Sequence, residues 1–139
     1  MTDTKRKGNL TELMCIAAIN ELGYDVSIPY GDAARYDFIA DIDGILIKVQ
    51  SKTSSVVKNN STSIKFSCRS TNNTRYTKDQ VDYFCTFFNG ICYLIPIEEC
   101  SVEKTLHFGT PKNKQQIGIS YASDYELSVQ IAKIKGVTK

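Results

Sequence analysis

Apolar and polar positions change period several times along the chain. Leu10, Leu13, Met14 and Ala17 recur at helical spacing. Asn9 is a good capping residue and Gly23 a stop signal, so the pattern predicts a helix from Asn9 to about Leu22. Lys5-Arg6-Lys7 then form a short basic arm ahead of it. Glu12 does not sit on the polar side of that helix but shares a face with Cys15, Ile16 and Ile19. A carboxylate on an apolar face is costly unless something pairs with it. It either reaches water or a lysine at the edge of the core, or it belongs to a site.

Val26 and Ile28 alternate within Asp25 to Tyr30, which predicts a first strand. Arg35 to Lys52 then reads as a β-hairpin turned at Asp43-Gly44, because both central positions of a two-residue turn need φ > 0. That register sets Ile42 against Ile45 and Asp37 against Gln50. Paired residues project from one face, and alternation adds Lys52 to it. The other face carries Phe38, Ile42, Ile45, Ile47 and Val49 as core, with slippage at one strand or the other.

Thr53 to Ser63 is a polar loop, Ile64 to Cys68 a short strand, and Arg69 to Thr77 a second polar loop. Thr77 and Gln80 form a capping-box pair that predicts a short helix through Phe84. Cys85 to Phe88 and Ile91 to Ile95 flank Asn89-Gly90, a second hairpin signal, and Pro96 ends its second strand. Ile97 to Leu106 fits a helix or an irregular excursion. Thr110 to Gln116 is a basic loop and Ile117 to Tyr121 a further strand. Ser123 and Glu126 make another capping-box pair, opening a last helix that ends near Gly136. A helix leading into a mixed sheet, with later helices beside it, is an α/β or α+β layered domain.

The acid, amide and ammonium of the first hairpin suit metal-dependent phosphodiester hydrolysis. A carboxylate holds a hard divalent cation, and the cation polarises phosphate and lowers the pKa of a bound water. A nearby lysine offsets charge in the transition state. The same three residues also fit the ordinary wet face of a hairpin.

Composition narrows the choice. At 139 residues the chain is long enough for one core and short for two. No apolar stretch is long enough to span a bilayer, and the first residues lack the apolar run of a secretory signal. Cys15, Cys68, Cys85, Cys92 and Cys100 make an odd count without CxxC spacing, which predicts reduced, buried thiols and a cytosolic or organellar-matrix location. His107 is the only histidine, which argues against a zinc site, a histidine-based nuclease or a serine-type triad. Net charge is +2, but it is segregated. Gly44 to Lys78 contains no acid and carries Lys48, Lys52, Lys58, Lys65, Arg69, Arg75 and Lys78. A second acid-free run, Lys104 to Ser123, carries Lys104, Lys112 and Lys114. Segregated positive charge is the footprint of a polyanion partner, or else chance clustering on a solvated surface.

Glu12 on the first helix, Asp37 on the second strand and Gln50-Ser51-Lys52 on the third resemble the PD-(D/E)-XK nuclease superfamily. Within it, KGNLTE (Lys7 to Glu12), the YDF around Asp37, KVQSK (Lys48 to Lys52) and RYTKDQVDYF (Arg75 to Phe84) resemble the small homing endonucleases of group I introns. The resemblance covers roughly Lys7 to Pro96 and implies one nuclease-like domain over 1–139, with a motif-bearing core at 7–96 and an extension at 97–139. The fold it implies is a restriction-endonuclease-like mixed β-sheet core flanked by helices.

The resemblance assigns Asp37 as main metal ligand, Glu12 as its helper, Gln50 in place of the second acid, and Lys52 as motif lysine. The Ser51 carbonyl is a further ligand candidate. Mg²⁺ is the implied ion, with Mn²⁺ able to substitute. Tyr36 replaces the motif proline, and Gln50 removes one negative charge, which shifts metal binding onto Glu12. Double-stranded DNA is the implied partner, bound by a homo-oligomer, tetramer or dimer. The hairpin strands and Cys85 to Ile95 are the expected oligomer surfaces. Lys58, Lys65, Arg69, Arg75 and Lys78 are expected on DNA phosphates, and the Asn, Ser and Thr of the same loops on base edges. Three readings follow: a Mg²⁺-dependent, sequence-specific homing endonuclease, a structure-selective nuclease of the Holliday junction resolvase kind, and a non-catalytic nucleic-acid-binding module.

Overall fold

Eight strands and two helices, among the described residues of a computed structural model, stack as three layers. The described residues are 3–57, 62–70, 72–109 and 119–136. The central layer is a five-stranded sheet in the order β1 (Asp25–Ser27), β2 (Phe38–Ile42), β3 (Ile45–Ser51), β6 (Tyr83–Phe88) and β7 (Ile91–Pro96). Its neighbours are antiparallel except β3 and β6, which run parallel. A second sheet orders β4 (Ser55–Val56), β5 (Ser63–Ser67) and β8 (Glu103–His107). The helices are α1 (Asp3–Glu21) and α2 (Leu127–Ile134). This is the mixed α+β architecture expected from the sequence.

Each face of the central sheet has its own core. Cys15 and Ile19 of α1 and Leu127 and Ile131 of α2 pack against Phe38, Ala40, Ile42, Ile47, Val49, Cys85 and Leu94. Phe84, Tyr93 and Ile95, on the opposite face of β6 and β7, pack against Ile64, Phe66 and Leu106 of the second sheet. A strand alternates faces, so β6 and β7 feed both cores and are apolar at nearly every position. This burial covers both faces of most of Cys85 to Ile95, while β7 is the edge strand of the sheet and Ile91 at its start is exposed.

Both hairpin turns form as predicted. Asp43 and Gly44 have φ of 53° and 95°, and Asn89 and Gly90 have 53° and 84°. Pairing follows the predicted register from Ile42↔Ile45 to Phe38↔Val49. Ile45 shares the core-side face but is 45% exposed, whereas its partner Ile42 is buried.

Several boundaries differ. Helix α1 starts at Asp3, so Asn9 lies inside it and Lys5-Arg6-Lys7 form its opening turns rather than an arm. Lys and Arg are good helix formers, and an acid in the first turn suits the helix dipole. The Leu10, Leu13 and Met14 stripe faces outward, with Leu10 57% and Leu13 61% exposed. Only one of two apolar stripes can meet the sheet, and the one with Thr11, Cys15 and Ile19 does. The first strand ends at Ser27. At Thr77 the capping contact forms, with the Thr77 N–H donating to Gln80 Oε1 at 3.1 Å, but the result is one turn. The Tyr83–Phe88 segment is drawn into the sheet instead. Ile97 to Leu106 resolves into a 3-10 turn and β8. Glu126 is itself the extended cap of α2 and makes no side-chain cap bond, so the second capping box does not form. Gly136 ends that helix with φ of 79°, as expected.

Candidate active site

The site forms where β2 and β3 run out, at the end of the hairpin away from its turn. Pairing stops at Phe38↔Val49. The Asp37 N–H donates to the Val49 carbonyl at 2.8 Å, so Asp37 leaves the ladder instead of pairing squarely with Gln50. Its carboxylate turns along the strand end. Oδ2 accepts from the Ser51 N–H and from Ser51 Oγ, both at 2.9 Å. Two donors on one oxygen fix the rotamer and leave Oδ1 for another ligand.

Glu12 arrives from the helix layer. Thr11, its neighbour, is buried, and its Oγ1 lies 3.2 Å from Thr53 Oγ1, which ties α1 to the segment leaving β3. Burial raises the Glu12 carboxyl above the usual range, and the Asp37 charge raises it further. The two acids therefore repel each other across the site. Neither has a cationic partner among the described ion pairs.

Lys52 arrives one residue past β3. Its N–H is held by the Cys85 carbonyl at 2.8 Å, and its Nζ donates to the Arg69 carbonyl at 2.7 Å. Burial lowers the Lys52 ammonium below its ordinary value; Cys68 and Asp37 oppose that shift, and Arg35 reinforces it. An ammonium has three donors, so two remain for an anion. Gln50 pairs with Phe84 through its backbone, and its half-buried amide makes none of the described hydrogen bonds.

This donor set fits a hard divalent cation. Among the described residues no three His, Cys, Asp or Glu side chains cluster, so the offer is two carboxylates, an amide and backbone oxygen. Mg²⁺ is held in this way, by one or two carboxylates with waters and substrate phosphate completing the shell. Two mutually repelling acids are what such an ion relieves.

The structure brings Glu12, Asp37, Ser51 and Lys52 together. The expected DNA contacts are less uniform. Arg69 and Arg75 bridge each other across a tight turn beside Lys52. The Arg69 guanidinium donates to the Asn73 carbonyl at 3.3 Å. Lys65 pairs with Glu103 at 3.8 Å and Lys78 with Glu98 at 3.5 Å. Acids remote in sequence thus reach into the run that looked acid-free. Lys58 lies outside the described residues, as do Lys112 and Lys114 of the second basic run.

Sequence reasoning missed two participants, Tyr76 and Arg35, and one role of Ser51. Ser51 holds Asp37 with its N–H and hydroxyl, in addition to offering a carbonyl. Tyr76 presents its ring to Lys52 at 5.1 Å, and Arg35 stacks on the same ring at 4.4 Å. Arg35 stands two residues before Asp37, a spacing that could have flagged it.

Residues 2–128 match the family model described as PD-(D/E)XK endonuclease. A solved structure of a bacterial homing endonuclease, I-Ssp6803I, superposes with a TM-score of 0.72 at 23% identity, covering 99% of this chain and 100% of that one. At that identity the likeness carries the fold. No curated protein sequence gives a significant match.

Proposed function

The chain belongs to the PD-(D/E)XK endonuclease family, a nuclease family whose members generally use divalent metal ions, and we propose that it is a Mg²⁺-dependent, sequence-specific endonuclease of the homing type acting on double-stranded DNA. The observation that carries this reading is the meeting of Glu12 and Asp37 beside Lys52. Asp37 Oδ1, Glu12, Gln50 and the Ser51 carbonyl would hold Mg²⁺, or Mn²⁺ in its place. The ion supplies Lewis acidity at the phosphate and a lowered pKa for its water. Ser51 keeps Asp37 in its rotamer. Lys52, held by the Arg69 carbonyl, sets a positive charge and two free donors where the phosphate would lie.

Arg69, Arg75, Lys65 and Lys78 would position the duplex through phosphates. The two lysine ion pairs are exposed and weak, so phosphate can replace their acids. A homo-oligomer, dimer or tetramer, would set two sites across one target. With the faces of β6 and β7 buried, the outward Leu10 and Leu13 of α1 and the exposed Ile45 and Leu46 are the surfaces that support it. Five free buried thiols favour a reducing compartment.

Plasmid carrying the intron-free allele tests the reading. Cleavage should require Mg²⁺ and fall by about 10³-fold in Asp37→Asn, while duplex binding persists. Cleavage that survives this change would remove the mechanism. A four-way junction cut in preference to every linear duplex would move the protein to the resolvase class.

A further inference from the structure

Arg35 is the one cation at the site whose situation the proposed chemistry does not yet use. It is half-buried, and its Nη2 is covered by protein atoms yet makes no hydrogen bond. A hydrogen bond runs from Nη1 to Gln80 Oε1 at 3.3 Å, a long contact to a neutral amide that also accepts from Thr77. No carboxylate pairs with it among the described ion pairs. The nearest acid in sequence, Asp37, turns Oδ2 to Ser51 and makes no ion pair with Arg35 among the described ones. A guanidinium has five donors, and besides Gln80 only the Tyr76 side chain bonds to this one, so Nη2 keeps no acceptor.

A cation partly removed from water, without an acid, loses hydration that one amide and one aromatic ring restore only in part. The environment nonetheless holds it in place. The Tyr76 ring lies 4.4 Å from its central carbon and the Gln80 amide fixes one edge. Stacking of this kind orients the planar fork while leaving in-plane donors for an anion. The same ring sits 5.1 Å from Lys52 Nζ, so the two cations flank one tyrosine. Two positive groups side by side repel, and the Arg35 charge is felt at Lys52.

We infer that Arg35 is a phosphate-binding residue of the active site, its charge and the guanidinium N–H groups other than the covered Nη2 meeting a DNA backbone phosphate at or beside the one Lys52 faces. The inference rests on the nuclease reading for its location and on the unpaired guanidinium for its ligand. Tyr76 is then a positioning residue for both cations. Gln80 supplies the second hold, which gives the capping-type contact at Thr77 a purpose although no helix follows.

The test uses Arg35→Ala and Arg35→Lys in the full chain, each first shown to melt cooperatively. A mixed-sequence duplex is titrated in EDTA across a series of KCl concentrations. Removing one phosphate contact should reduce the slope of log affinity against log salt by about 0.9 in Arg35→Ala. Arg35→Lys should keep the slope, since it keeps the charge. With Mg²⁺ and cleavable plasmid, Arg35→Ala should slow cleavage by about 10²- to 10³-fold, and Arg35→Lys should recover only part of that rate because it lacks the fork. An unchanged slope in Arg35→Ala overturns the inference, even if cleavage slows, since a purely structural residue would give that result. A reduced slope together with a wild-type protein that cleaves no DNA would uphold Arg35 as a phosphate contact and remove the nuclease reading alone.

Discussion

The two hairpins of the central sheet are built from one local code and put to opposite uses. β2–β3 turns on Asp43-Gly44 and β6–β7 on Asn89-Gly90, with the same left-handed pair of residues at each tip. Beyond the turns they diverge. β2–β3 alternates buried and half-buried positions, and its open end carries Asp37, Gln50 and Ser51. β6–β7 is buried on both faces, so Phe84, Cys85, Leu94 and Ile95 are all inaccessible. Even Thr86 is buried there, with its hydroxyl unbonded. A carboxylate can be displayed on the first hairpin because water or an ion can reach it. On the second it would face an apolar wall. The difference teaches that a turn fixes pairing, while the layers stacked on either side decide chemistry.

The largest expected effect separates the two hairpins by stability. Leu94→Ala should cost about 2–5 kcal/mol in urea unfolding, since it opens a cavity in a layer closed on both sides. Leu46→Ala, at a 61% exposed position of the first hairpin, should stay within about 0.5 kcal/mol of wild type. Equal costs would mean that the first hairpin is covered in solution, as a second copy of the chain would cover it.

Chemistry separates them next. Ser51→Ala removes the hydroxyl that holds Asp37 and should weaken metal binding about 10- to 100-fold by calorimetry, with little change in melting temperature. Unchanged affinity would show that the Ser51 N–H alone suffices to set the carboxylate.

The turns should then behave alike. Gly44→Ala and Gly90→Ala each place a Cβ in open space, so only the left-handed backbone is penalised. Each should lose about 1–2 kcal/mol. A large difference between them would show that the tips are not equivalent.

The smallest effect concerns charge at the open end. The Glu12 carboxyl is raised in the folded protein by burial and by Asp37, so the folded state holds its proton more tightly than the unfolded state. In EDTA, stability should therefore fall as pH rises through the folded-state pKa of Glu12. Glu12→Gln should flatten that decline and melt slightly higher than wild type near neutrality. Mg²⁺ should reverse the order by stabilising wild type more. A wild-type decline identical to that of the variant would mean that neither burial nor Asp37 raises the Glu12 carboxyl.

Much of the frame was legible in residues alone. Both turns, the register from Ile42↔Ile45 to Phe38↔Val49 and the face of α1 carrying Glu12, Cys15 and Ile19 follow from φ preferences and periodicity, which are local. Placement of Lys52 two residues on from Gln50 follows from counting, although the strand itself stops at Ser51. What local rules misjudged were contests between neighbours. Thr77 and Gln80 made their capping contact, yet the following residues joined a sheet because Phe84 fills a core. The Leu10 and Leu13 stripe looked like a core stripe but lost to the side bearing Thr11 and Cys15. Lys65 and Lys78 looked unopposed until Glu103 and Glu98 arrived from later in the chain.

By itself, then, the chain determined which residue types would stand at the end of the first hairpin and how its strands would align, because turn geometry and two-residue alternation act between neighbours. Tertiary structure alone decided that Asp37 would leave the ladder for Ser51, that Thr11 would carry Glu12 to the same corner, and that Arg35 and Lys52 would share the ring of Tyr76. Those meetings join segments up to tens of residues apart, and the packing of layers, not any local preference, sets the distance between them.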